Sequence, residues 1–178
     1  MLSDEKVIQR VLSGRTADFC ELMHRHQGSV FRLAYRITNS REEAEDAAQE
    51  AFVLVYRNLR GYRDEGKLWP WIRRITVNCC LKRLARAHPG EVLDELPDAA
   101  EPVEEQVLAR LALDEVHSAI SELPGPYRTV IVLRYQEEMS HSEIAEALGD
   151  SVAAVQVRLH RARKALTAKL ASEVLDEV

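Results

Sequence analysis

The chain of 178 residues lacks any apolar run near 18 residues, so it holds no stretch able to cross a bilayer as a helix. Its first ten residues, MLSDEKVIQR, lack the apolar core of a secretory signal, and an intracellular, cytoplasmic protein is expected. Cysteine is scarce. Cys79 and Cys80 are adjacent and Cys20 is remote, which gives neither a zinc spacing nor a disulfide framework and predicts buried thiols. No segment alternates apolar and polar residues over a useful strand length, and no internal repeat is visible. There is no glycine-rich phosphate loop, no nucleophile in an activating setting and no recognisable catalytic carboxylate pair, which argues against an enzyme. His24 and His26 lie two apart and share no helix face, so no metal pair is expected there, and neither metal nor cofactor is expected elsewhere. Between Ser151 and Leu170 there is no acidic residue at all.

That last absence marks the most informative stretch. Ser140 and Glu143 have the spacing of a capping box, in which the serine caps the helix start and the glutamate reaches back. Ile144, Ala145 and Leu148 then give one apolar face. Gly149 suits the left-handed residue that ends a helix, and Asp150 or Ser151 can cap the next. Val152, Val155, Leu159, Ala162 and Leu166 predict a second apolar stripe, with Arg158, His160, Arg161, Arg163, Lys164 and Lys169 on the other faces. A helix, a tight glycine turn and a basic second helix form the pattern of a helix-turn-helix that lays its second helix in the DNA major groove.

A net charge of −5 looks wrong for a DNA binder until it is divided along the chain. Residues 1–88 carry +5, residues 89–113 carry −6 and residues 114–178 carry −4. The acid is concentrated in the middle, and local fields matter more to a polyanion than the total. The same middle stretch holds Pro89, Gly90, Pro97 and Pro102, so a flexible acidic linker and a domain boundary are expected there.

The first part reads as helices. Residues 3–13 predict a short one ending at Gly14. Thr16 is placed to cap the next, which carries Phe19, Leu22, Met23, Val30, Leu33, Ala34 and Ile37 on one side. Ser40 and Glu43 predict another capping box. The helix behind it has an apolar side of Ala44, Ala47, Ala48, Ala51, Phe52, Val55 and Leu59, and a polar side of Glu42, Glu45, Asp46, Gln49 and Glu50. That polar side is either a solvated face with acids near the helix N-terminus or a docking face for a basic partner. A polar loop, Gly61 to Lys67, leads through Pro70 into a basic helix with Trp71, Ile72 and Ile75. An aromatic-flanked loop before a basic helix suits unstacked single-stranded bases. Trp71 is expected in the core, with Trp69 and Tyr62 as the exposed rings. After the linker, a helical pattern resumes from Val103 to Ile120, and Leu123-Pro124-Gly125-Pro126 makes a sharp break. Tyr127, Val130, Ile131, Leu133 and Tyr135 then predict a helix that supports the helix-turn-helix. From these residues alone, a stand-alone DNA-binding regulator and a protein-interaction adaptor both remain open.

The stretches EEAEDAAQEAFVLVYRNL, YRDEGKLWPWIRRITVN, LPGPYRTVIVLRYQEEMSHSEIAEALG and VRLHRARKAL, in that order, resemble the extracytoplasmic-function (group IV) sigma factors of bacterial RNA polymerase. The resemblance implies an all-α chain of two small helical domains. Residues 1–88 resemble sigma domain 2, residues 89–112 the acidic linker, and residues 113–178 the helix-turn-helix sigma domain 4. It implies a transcription initiation factor that binds core RNA polymerase, on its clamp helices and flap, and directs it to promoter DNA. Asp46, Gln49 and Glu50 match the segment that docks on the clamp, which favours the docking reading of their face. Tyr62, Arg63, Lys67, Trp69, Arg74, Asn78 and Arg83 fall in the part that melts and reads the minus-ten element. Ser151, Ala154, Gln156, Arg158, His160, Arg161 and Lys164 fall in the part that reads the minus-thirty-five element. Control by an anti-sigma factor is also implied. One departure stands out: where the family has Gly-Thr-Val-Lys-Ser-Arg, this chain has Ala153-Ala154-Val155-Gln156-Val157-Arg158. The missing hydroxyls and charge predict weaker phosphate contacts there.

Overall fold

A computed structural model describes residues 2–63, 68–87 and 113–176, with side chains over 116–171 in the last of these. Lys67, the linker at 89–112 and the helical pattern expected between Val103 and residue 112 lie outside the described residues. Every regular element among the described residues is helical. The chain divides into two units, Met1–Ala87 and His88–Val178.

In the first unit Ser3 caps α1 (Asp4–Leu12), accepting from the Lys6 N–H, and Val7, Ile8 and Val11 form its buried stripe. Thr16 does not cap the next helix as expected. It opens a single 3-10 turn, Thr16–Asp18, and α2 (Phe19–Thr38) follows it directly. Leu22, Val30, Leu33, Ala34 and Ile37 of α2 are almost wholly inaccessible. Met23 departs from that side and is exposed. Asn39, with φ +54°, ends the helix in the left-handed conformation that asparagine tolerates.

Ser40 then caps α3 (Arg41–Asn58), accepting from the Glu43 N–H at 3.4 Å. Only half of the expected box forms, because the Glu43 carboxylate accepts from Arg83 instead. Ala44, Ala47 and Ala51 are buried, and their small side chains let α3 pack closely on both α2 and α4 (Leu68–Ala87). Each fully buried large aliphatic side chain contributes about 1.5–3 kcal/mol, so this three-helix core outweighs any surface ion pair on it. Cys79 and Cys80 are buried in α4 as expected, but Cys20 is exposed because it lies on the solvent side of α2, beside buried Phe19.

In the second unit, α5 (Leu113–Ser121) and α6 (Gly125–Ile131) are joined through Pro124, whose extended conformation breaks the chain where the sequence predicts. Arg128 is buried and closes the end of α5 by donating to the carbonyls of Ser121 and Leu123, both at 2.9 Å. Val130 to Leu133 are all buried. The chain then widens into a π-helical turn, Val132–Gln136, whose extra residue shifts the phase of the helix. Tyr135, expected on the apolar side, is therefore turned out and 42% exposed, and Met139 is buried further on.

Ser140 starts α7 (His141–Leu148) with a complete capping box: the Glu143 N–H donates to Ser140 Oγ, and Glu143 Oε2 accepts from the Ser140 N–H at 2.8 Å. Gly149 ends it at φ +70°. Ser151 is the residue that caps α8 (Val152–Asp176), accepting from the Ala154 N–H at 3.1 Å. Val155, Leu159, Ala162, Leu166 and Leu170 bury the inner stripe of α8 against α5, α6 and α7. Val152 is not part of it. It sits at the open first position of the helix and is 42% exposed.

Candidate nucleic-acid and partner interfaces

In the first unit α2 and α3 leave an apolar groove of about 910 Å³ between them, with Phe19, Met23, Phe31, Phe52, Val53 and Tyr56 among its walls. Gln49 lines the same groove. Reading the sequence for one apolar stripe per helix missed this surface. The available signal was Val53 and Tyr56, an apolar pair at helical spacing outside the alanine stripe of α3.

Asp46 and Gln49 are exposed and Glu50 is half-buried. The structure brings the two acids together with Glu43 around one cation. Arg83 of α4 donates to Glu43 Oε2 at 2.6 Å and to Asp46 Oδ2, and lies 3.9 Å from Glu50. Burial alone would lower the Arg83 guanidinium, but the Glu43 hydrogen bond and the three negative charges outweigh it and raise it above its ordinary value. Arg83 was expected among the DNA-facing residues. Its guanidinium is engaged by the acids of α3, five residues and about one and a half turns beyond exposed Asn78 on α4.

Arg63 and Arg74 are exposed, on either side of the start of α4. Tyr62 and Trp71 are both half-buried and face each other, their ring centroids 4.9 Å apart. Trp71 is therefore not the core residue expected, because Tyr62 gives it an aromatic partner nearer the surface. Trp69 is also half-buried, and its ring lies parallel to the His26 imidazole. Asp4 reaches His26 Nε2 at 2.8 Å and Arg25 Nη1 at 2.8 Å. Burial would raise the Asp4 carboxyl, but the hydrogen bonds from Arg25 and His26 prevail and hold it below its ordinary value. Among the described residues no group of three His, Cys, Asp or Glu is placed to hold a metal ion.

In the second unit the side of α8 away from the core carries Gln156, His160 and Arg163 exposed, with Arg158, Arg161 and Lys164 half-buried. Ala154 is half-buried and Ser151 is committed to its cap. Arg158 donates to Asp150 Oδ2 at 2.7 Å, across the turn. The acid just before the helix thus holds the first arginine on it.

A capped helix, a left-handed glycine turn and a basic second helix with its inner stripe buried define a helix-turn-helix DNA-binding protein. Residues 113–166 match the family described as sigma-70, region 4, and residues 22–89 match sigma-70 region 2. The chain is 32% identical over 180 residues to the ECF RNA polymerase sigma factor SigW of Bacillus subtilis (strain 168), covering 93% of this chain and 96% of that one. It is 35% identical over 160 residues to the ECF RNA polymerase sigma factor SigE of Mycolicibacterium smegmatis, covering 85% of this chain and 61% of that one. Among solved structures, that of CnrH in complex with the cytosolic domain of CnrY is similar, with a TM-score of 0.61 and 28% identity, covering 95% of this chain and 97% of that one. The chain belongs to the extracytoplasmic-function sigma factors of the sigma-70 family. It directs RNA polymerase to promoters and is an initiation factor, not an enzyme. No described helix is long and apolar enough to cross a membrane.

Proposed function

We propose a division of labour within this activity. Residues 1–88 dock on core polymerase and engage the minus-ten element, residues 113–178 read the minus-thirty-five element and touch the flap, and the acidic 89–112 segment joins them. Docking uses Asp46, Gln49 and Glu50, with the groove between α2 and α3 receiving apolar side chains of the clamp. The minus-ten contacts come from Tyr62, Arg63, Lys67, Trp69, Arg74 and Asn78, with Arg83 available only if its acids are drawn elsewhere. The upstream contacts come from Gln156, Arg158, His160, Arg161 and Lys164, with Ser151 and Ala154 presenting backbone at the helix start.

The observation that carries this reading is the outer side of α8. It is basic, acid-free from Ser151 to Leu170, and held by a buried stripe that fixes which side faces out. A protein inhibitor of the anti-sigma type also fits, because the groove offers an apolar seat and CnrH is found with the cytosolic domain of CnrY. The test is run-off transcription by core polymerase with this chain on a pool of promoter fragments, followed by sequencing of the templates used. Gln156→Ala should change base preference in the upstream element alone, and Asn78→Ala in the downstream element alone. The reverse pattern would overturn the assignment.

A further inference from the structure

We propose that His26 is a positioning residue for Trp69, holding the indole as a preset platform for an unstacked base of single-stranded DNA. The inference rests on the reading that Trp69 meets the separated strand. Trp69 is the second residue of α4 and is half-buried rather than packed into the core. Its ring lies 6.3 Å from the His26 ring, centroid to centroid, with only 5° between the planes. That is an offset parallel arrangement, within the range in which aromatic rings attract.

His26 is itself fixed. Its Nε2–H donates to Asp4 Oδ2 at 2.8 Å, and its side chain is only 16% exposed. Asp4 is fixed in turn, because Arg25 Nη1 donates both to Asp4 Oδ1 and to the Leu2 carbonyl, at 2.8 Å each. Arg25 Nη2 also donates to Glu21 Oε1 at 2.7 Å. A chain of contacts therefore runs from the start of α1, through α2, to the first turn of α4. A large exposed ring that must be ordered at the moment of binding loses rotamer freedom then, and a ring already held does not. Stacking of a base on an aromatic face tolerates every base, so such a platform aids strand capture without dictating sequence.

The rival explanation is that His26 serves only to tie α1 to α2 through Asp4. A phenylalanine at position 26 separates the two, because it keeps a flat ring and loses the hydrogen bond. The test uses holoenzyme assembled from core polymerase and the full chain. The probe is a pool of fork-junction DNAs with a short randomised single-stranded non-template tail, compared with the same pool made fully duplex. The quantity read is the ratio of fork to duplex retention. Trp69→Ala should lower that ratio about tenfold, the scale of losing one stacked base. His26→Ala should lower it about threefold or more, and His26→Phe should restore it.

A second measurement uses the free chain with Trp71→Phe, which leaves Trp69 as the only indole. His26→Ala should make its emission more accessible to acrylamide, and His26→Phe should not. If Trp69→Ala lowers the ratio and His26→Ala leaves it unchanged, positioning is overturned while the role of Trp69 stands. An equal fall for His26→Ala and His26→Phe assigns His26 to the Asp4 contact and overturns the proposal. If Trp69→Ala has no effect on the ratio, Trp69 does not meet the separated strand, and the proposal falls with that reading.

Discussion

At the scale of single residues, the three thiols occupy two environments. Burial, with the nearby Glu50 charge, pushes the Cys79 thiol up to about 11. Burial, with Cys79 beside it, pushes Cys80 up to about 12. Cys20 is exposed. The thiolate is the nucleophile, so iodoacetamide at about pH 8 should modify Cys20 alone in the native chain and all three cysteines in guanidinium, as read by intact mass. Asp4 gives a second residue-scale expectation. Its folded carboxyl lies below the ordinary value of 3.8, so its contribution is complete above that value and is lost as pH falls through the lower, folded one. The difference in Tm between the native chain and Asp4→Asn should be larger at about pH 5 than below pH 3.8, where it shrinks as the carboxylate takes up its proton. A difference that grows toward acid pH would show that the carboxylate opposes the fold.

At the scale of elements, what was readable from the sequence is what local chemistry decides. Ser140, Glu143 and Gly149 specify the ends of α7 through groups within a few residues of one another, and the structure has them as expected. Replacing Gly149 by Ala forces a β-carbon into the left-handed region and should cost about 1–2 kcal/mol. Ser140→Ala should cost about 1 kcal/mol, and each change should lower the Tm of the second unit by several degrees. An unchanged Tm for Gly149→Ala would mean that the turn relaxes to another conformation. What was not readable depends on partners distant in sequence. The Ser40 box is incomplete because Arg83, forty positions away, takes the Glu43 carboxylate. Trp71 left the core because Tyr62 meets it, and Tyr135 turned outward because a π-helical turn shifted the helix phase. The groove was hidden because its two walls belong to different helices, each with a satisfactory stripe elsewhere. For the proposed binding residues, residue type and order pointed to α3, to the start of α4 and to α8. Which arginines are already engaged was set by tertiary neighbours: Asp150 for Arg158, and three acids of α3 for Arg83.

At the scale of the whole molecule, the net charge of −5 is unfavourable for binding DNA alone. The second unit carries a basic α8, yet residues 114–178 sum to −4 and the segment before them to −6. Association with duplex promoter should therefore be weak for the free chain and strong for holoenzyme, with Arg161→Ala lowering the salt dependence of holoenzyme binding by about one charge. A gel-shift series over several salt concentrations checks both, and tight specific binding by the free chain would contradict the first. Asp46→Ala with Gln49→Ala should weaken core binding in a titration with only a small loss of Tm, since both residues are exposed and Glu43 still accepts from Arg83 when Asp46 is gone. The contrast among the thiols has a practical consequence. Cys20 directly follows Phe19, a wall of the apolar groove. An environment-sensitive dye coupled to that one reactive position would turn occupation of the groove into a fluorescence signal. Arrival and departure of whatever fills it could then be timed, molecule by molecule, on the unmutated chain.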